Sequence, residues 1–199
     1  MNGKKTSILR DVIIITVITL VAGALLGMAY NVTKEPIELQ RQAKITNAKQ
    51  AVFPDAADFN MIYSNDGQDA GNSEETGPTK INTVDEALDD GGNVLGYVID
   101  VTNSQGYGGD IELMVGVRTD GEEKLNAISF LKLSETAGMG MKAKNSPFID
   151  QFTGKNVSGG LDISEVDGIS GATITTKAVT AAIDEAVKMA EACLKAGGS

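Results

Sequence analysis

The sequence predicts an α+β domain, an antiparallel sheet with packed helices, preceded by a single N-terminal transmembrane helix. Three observations predict it. Val12 to Tyr30 is a run of 19 residues without a charge. Three β-rich runs joined by short polar connections fill residues 94–133. Thr176 to Leu194 repeats its apolar residues at helical spacing.

The first run, VIIITVITLVAGALLGMAY, has the length of a helix that crosses a bilayer core. A secretory apolar region covers only ~7–15 residues, so this longer run reads as an uncleaved anchor. Ala22, Gly23, Ala24 and Ala29 are small enough for the competing reading, a cleaved signal. Lys4, Lys5 and Arg10 precede the run. The positive-inside rule then assigns 1–11 to a cytoplasmic N-terminus, 12–30 to the membrane and the remainder to the outside. Gly23 and Gly27 share one face, either as a contact for another helix or as glycines common in such spans.

Residues 31–93 form a membrane-proximal helix and a variable region. Lys34 to Val52 scatters Ile37, Ala43, Ile45 and Ala48 among polar residues, a solvated helix with Pro36 in its first turn. The pattern weakens from Pro54 to Asn93, and Ser64–Lys80 is polar and Gly-containing, a loop or small excursion. Residues 94–199 make the main domain. Its strands are expected at Val94–Thr102, Ile111–Thr119 and Lys124–Leu133, linked by SQGYGGD and DGEE as an antiparallel meander. Asn145–Gly154 reads as a short helix with a Ser cap, Pro at its first position and Gly after its end. A further short strand is expected within Asn156–Val166. In the last helix, Val179, Ile183, Val187, Ala190 and Leu194 form a stripe that packs on the sheet. Asp184–Lys188 and Glu191–Lys195 support it as i, i+4 pairs. Cys193 lies near the stripe, as a small packing residue rather than a reactive thiol.

Composition excludes several chemistries. The 199 residues contain no histidine and one cysteine. An intrachain disulfide, an iron–sulfur cluster, c-type haem attachment, a His/Cys zinc site and a Ser–His–Asp triad are all ruled out. No metal site and no catalytic residue of this chain's own is expected. A redox role would need a cofactor held by hydroxyls, backbone and carboxylates. The net charge is −10, and residues 31–199 carry 14 basic against 26 acidic side chains. Nucleic-acid phosphates would be repelled.

One loop stands out. DGISGAT, Asp167 to Thr173, lies directly before the last helix. Exposed N–H groups and the positive end of the helix dipole favour a phosphate there. Gly168 and Gly171 permit a tight turn and a close backbone approach. On these physical features alone an ordinary capped loop, with Thr175 or Thr176 as N-cap, is the commoner outcome.

DGISGAT also resembles the flavinylation motif of covalent FMN-binding domains, Asp–x–x–Ser/Thr–Gly–Ala–Thr/Ser, at every position. GYGGDIELMVGV (Gly106–Val117), SETAGMG (Ser134–Gly140) and FIDQFTGK (Phe148–Lys155) resemble parts of the G subunit of the Rnf ion-translocating ferredoxin:NAD oxidoreductase complex. They are similar, less closely, to the C subunit of the sodium-pumping NADH:quinone reductase. Ala137 and Met139 stand where that family more often has Pro and Leu.

The resemblance implies that Thr173 carries FMN through a phosphodiester, with Asp167, Ser170, Gly171 and Ala172 presenting the acceptor. It also implies an isoalloxazine wall formed by Leu133, Ser134, Glu135, Thr136, Gly138 and Met139. A threonine hydroxyl is a weak nucleophile without a base, so a flavin transferase of the ApbE type is the expected maturation partner. The implied function is that of a redox-carrying subunit, not a stand-alone catalyst. It would serve an oxidoreductase that couples ferredoxin:NAD electron transfer to Na+ or H+ translocation, alongside other membrane subunits. The rival is a membrane-anchored pilin-like or sensor module, which would share the apolar helix and β-rich head but has no use for DGISGAT.

Overall fold

A computed structural model describes residues 3–65, 77–161 and 163–197. In order, the elements are α1 (Gly3–Val52), β1 (Asp58–Ser64), β2 (Thr79–Leu88), β3 (Val94–Asn103), β4 (Ile111–Arg118), β5 (Lys124–Lys132), α2 (Ser146–Ile149) and α3 (Thr173–Gly197). Short 3-10 turns cover Gly140–Lys144 and Ile163–Glu165. The chain divides into two units, one ending at Lys44 and the other beginning at Ile45.

The first unit is helical. Its most apolar 18-residue stretch has a mean hydropathy of 2.6, and none of that stretch is buried. By length and composition this helix can cross a membrane. Thr16, Thr19 and Thr33 donate their hydroxyls to carbonyls three or four residues earlier, so the threonines bring no unsatisfied donor to an apolar surrounding. Space is open around both Gly23 and Gly27. Pro36 lies inside α1, not in the first turn of a separate helix as expected. Its missing N–H removes one backbone bond, but the helical residues on both sides carry the chain through.

The second unit is built on one antiparallel sheet of order β1-β2-β3-β4-β5. The strands expected at residues 94–133 are present as β3, β4 and β5. Side chains alternate across β3 and β4, while two bulges shift the alternation in β5. Ile99, Val101, Leu113, Val115 and Leu125 point into the larger core under α3, where Val179, Ile183 and Val187 are fully buried. Each such side chain contributes roughly 1.5–3 kcal/mol of burial. Val98, Met114 and Leu131 face the other way and pack on Ala48, Val52 and Phe53 from the end of α1.

Glycines make room for that second contact. A Cβ on Gly96 would lie 2.2 Å from the Val117 carbonyl oxygen and 2.8 Å from the Phe53 ring, and one on Gly116 2.9 Å from the Val52 oxygen. Asn126 donates its side-chain amide to that same Val52 carbonyl, satisfying an acceptor at the helix end. Arg118 lies 5.4 Å from the centroid of Phe53 and contacts Asp55 at 2.5 Å. The guanidinium holds the Asp55 carboxyl below its ordinary range.

Several expectations are corrected. β1 and β2 occupy the stretch between Pro54 and Asn93, where no strand is expected from the pattern. β1 is an edge strand with Met61 and Ile62 exposed, and bulges interrupt the alternation at Met61/Tyr63 and Ile81/Thr83. Ser64 closes β1 and Thr79 opens β2, while residues 66–76 of the expected loop lie outside the described residues. The strand expected within Asn156–Val166 is only a single bridge, Lys124 to Asn156. In the helix expected at Asn145–Gly154, Asn145 occupies the cap position without a side-chain bond, and only Ser146–Ile149 is α-helical. Ser146 instead donates its hydroxyl to Asp150. α3 begins at Thr173, three residues earlier than expected, so Thr175 and Thr176 are inside it and neither is the N-cap. The Asp184–Lys188 and Glu191–Lys195 pairs form at 2.7 and 3.5 Å. Cys193 is partly covered, and burial pushes its thiol up from the ordinary value.

Lys49 reaches Asp85 at 2.6 Å, with side chains only 14% and 2% exposed. The second oxygen of Asp85 is buried without a partner. Lys49→Ala should therefore cost about 3–5 kcal/mol, because it strands a buried charge. The double replacement Lys49→Met with Asp85→Leu should recover most of the loss. Chemical denaturation of the full chain in detergent measures both.

Candidate cofactor site

The site lies where two segments converge. One is the stretch that leaves β5. From Leu133 to Thr136 it has no regular structure, and it turns at Gly138 (φ 78°) before the 3-10 turn at Gly140. This stretch is backed by the β3–β4 connection. A Cβ on Gly108 would stand 1.9 Å from the Ser134 carbonyl oxygen, so only glycine permits the contact. The Gly108 N–H donates to Glu135 Oε1 at 3.3 Å. Glu135 is held in this way with 8% of its surface exposed.

The second segment is the loop that enters α3. Gly171 takes a positive φ of 78°, a conformation glycine adopts without strain. Ala172 N–H bonds the Ile169 carbonyl at 2.9 Å. Thr176 closes the loop from inside the first turn, since its Oγ1 accepts from Ile169 N–H and donates to the Ala172 carbonyl, each at 3.0 Å. Thr173 is the first helical residue and is exposed. The N–H groups of the first turn have no carbonyl one turn earlier in the helix.

The two segments meet at Gly140. A Cβ there would lie 2.7 Å from Glu135 Oε2 and 2.7 Å from Thr175 Oγ1. In front of this junction opens a cavity of about 500 Å³, within the usual range of ~300–1,000 Å³ for small-ligand sites. Tyr107, Glu135, Thr136, Met139 and Gly140 line one side, and Gly171 to Thr175 line the other. The size suits a flavin ring system. The mixture of a methionine, an isoleucine, an aromatic ring and hydroxyls suits its apolar faces and polar edge. A phosphate at Thr173 would meet the helix N-terminus. Among the described residues, no group of three or more His, Cys, Asp and Glu could hold a metal ion.

Of the residues named from sequence, Thr173, Gly171, Ala172, Glu135, Thr136 and Met139 come together at this cavity. The others do not line it. Leu133 packs against the core under α3, Ser134 turns outward, and Gly138 supplies the turn. Ser170 is exposed in the loop. Asp167 borders a separate cavity of about 340 Å³ beside Lys142 and Phe148. Sequence reasoning missed Tyr107, Gly140, Ile174 and Thr175. Tyr107 did leave a signal, as an aromatic residue flanked by glycines in a connection otherwise read as a turn.

The FMN-binding domain family matches residues 106–188, which span both segments. Over 188 residues the chain is 31% identical to the G subunit of the Na(+)-translocating ferredoxin:NAD(+) oxidoreductase complex of Acetobacterium woodii, covering 89% of this chain and 88% of that one. It is 32% identical to the G subunit of the ion-translocating oxidoreductase complex of Methanosarcina acetivorans, over 90% and 93% of the two chains. It is 31% identical to the G subunit of the proton-translocating ferredoxin:NAD(+) oxidoreductase complex of Clostridium ljungdahlii, over 87% and 86%.

The junction can be tested apart from any ligand. Gly140→Ala should destabilise the chain by about 1–3 kcal/mol, because Glu135 and Thr175 must move. Adding Thr175→Ala removes the hydroxyl that the new methyl meets. In a double-mutant cycle the pair should cost less than the sum of the two single changes.

Proposed function

This chain belongs to the family of G subunits of ion-translocating oxidoreductase complexes, and from that membership we propose that it carries one covalent FMN for such a complex. The flavin would be joined to Thr173 by a phosphodiester. It supplies the reversible uptake and release of electrons, and the protein's part is to hold and tune it. The complex would pass electrons between reduced ferredoxin and NAD while moving an ion. Relatives of equal identity are named for sodium and for protons, so similarity of this degree does not select the ion.

The observation that carries this reading is the place of Thr173. Its hydroxyl is exposed at the first residue of α3, on the wall of the cavity that joins SETAGMG to DGISGAT. Helix N–H groups and the dipole would stabilise the phosphodiester charge, by about 0.3–1 kcal/mol for the dipole. Tyr107, Met139 and Ile174 would flank the ring, while Glu135 and Thr136 provide its polar contacts. A pilin-like or sensor module leaves this arrangement without a use.

Attachment needs outside help. Condensing FMN with an alcohol in water releases water and runs uphill, so the phosphate must arrive activated, as the pyrophosphate of a flavin dinucleotide. Thr173 Oγ would bond to the flavin-side phosphorus, the bond to AMP would break, and the hydroxyl proton would pass to a base. The chain contains no histidine. A separate flavin transferase of the ApbE type would supply that base.

Thr173→Ala should abolish covalent FMN, seen as the loss of one FMN adduct in the intact mass. Stability should change by no more than ~0.5 kcal/mol, since the side chain is exposed. An adduct that survives Thr173→Ala would sink the assignment.

The apolar helix is read as a single-pass anchor with the flavin domain outside the cytoplasm, from Lys4, Lys5 and Arg10 on its N-terminal flank. Protease added to right-side-out vesicles should digest residues 31–199. Protection there, with digestion in inverted vesicles, would reverse the topology.

A further inference from the structure

FIDQFTGK has no part in the site described so far, yet one residue of it touches the modification loop. Gln151 Nε2 donates to the Phe148 carbonyl at 2.9 Å and to the Asp167 carbonyl at 3.2 Å. Its Oε1 accepts from the Asp167 N–H at 2.8 Å. Both amide hydrogens and the amide oxygen are engaged, and both backbone groups of Asp167 are bound by one side chain. The pairing imitates a two-bond step of a β-ladder.

Gln151 is itself held firmly. Phe148 and Phe152 on either side of it are buried and meet edge to face, with ring centroids 5.4 Å apart. Thus the loop Asp167–Thr173 is tied at its start by Gln151 and at its end by the Thr176 hydroxyl. Between the ties lie Gly168 and Gly171, the residues with the most backbone freedom to lose. An untied segment must be ordered within each bound complex before its hydroxyl can react, at a cost in backbone conformational entropy.

Resting on the reading that Thr173 accepts the flavin, we propose that Gln151 is a positioning residue for that modification. It holds the acceptor loop in the conformation the transferase uses, acting through Asp167 without touching the flavin or the reacting atoms. Pre-alignment of the hydroxyl raises the turnover rate of attachment rather than the affinity between the two proteins.

The test uses the full chain in detergent, produced without transferase. It is mixed with purified transferase, flavin adenine dinucleotide and magnesium, and attachment is followed by intact mass. Gln151→Ala should lower kcat at least ~tenfold with KM for the chain unchanged, while hydrogen exchange quickens at 167–171 only. Gln151→Glu is nearly isosteric and guards against a folding defect. Its carboxylate can still accept from Asp167 N–H but cannot donate to the Asp167 carbonyl, so it too should be slow. A protonated carboxyl regains the donor. The rate of Gln151→Glu relative to the unchanged chain should therefore rise as pH falls toward the carboxyl range of about 4–5, which a merely structural role would not produce. Unaltered attachment in both variants overturns the proposal, and so does a change confined to KM, which would mean direct contact with the transferase. Failure of the unchanged chain to take flavin would instead remove the reading of Thr173 itself.

Discussion

Burial of one stripe of α3 against the sheet is the constraint on which the site depends. Val179, Ile183 and Val187 are fully buried against side chains of β3 and β4. Once that stripe is seated, the start of the helix has one place to be, and Thr173 comes to stand opposite the stretch that leaves β5. The cavity is the gap left where a helix N-terminus and a strand C-terminus meet without a side chain at Gly140. Packing far from the cavity thus sets where the Thr173 hydroxyl stands.

The absence of histidine shapes how the site must work. What the fold offers around Thr173 is an exposed position at the start of a helix. The first-turn N–H groups are free of intrahelical partners, Gly171 permits the turn, and the Gln151 and Thr176 side chains tie the loop. Glu135 sits apart from this, nearly buried and held by the Gly108 N–H. A fixed carboxylate beside a bound flavin ring would disfavour the ring's anionic reduced form.

Much of this is legible in the sequence, for physical reasons. β3, β4 and α3 keep their periods, so their apolar faces show, and β5 is recognisable from its β-rich composition despite two bulges against β4. The glycine and threonine content of DGISGAT marks a loop before a helix, although the start of α3 is obscured because Thr175 and Thr176 resemble caps. β1 and β2 are not legible. Bulges shift the phase of their alternation, and Asp85 is buried in β2 only because Lys49, far off in the chain, neutralises it. The contacts of Gln151 and the role of Gly140 are tertiary, and no local pattern announces them. Asp167, named as part of the acceptor, borders a different cavity and is bonded through its backbone by Gln151.

The most direct test is to map the flavin on the chain made together with its transferase. Digestion by trypsin should release the segment 156–177, which contains Ser170, Thr173, Thr175 and Thr176. Fragmentation of that peptide should localise one FMN, less one water, to Thr173. A flavin found on Ser170, Thr175 or Thr176, or none on this peptide at all, would contradict the account.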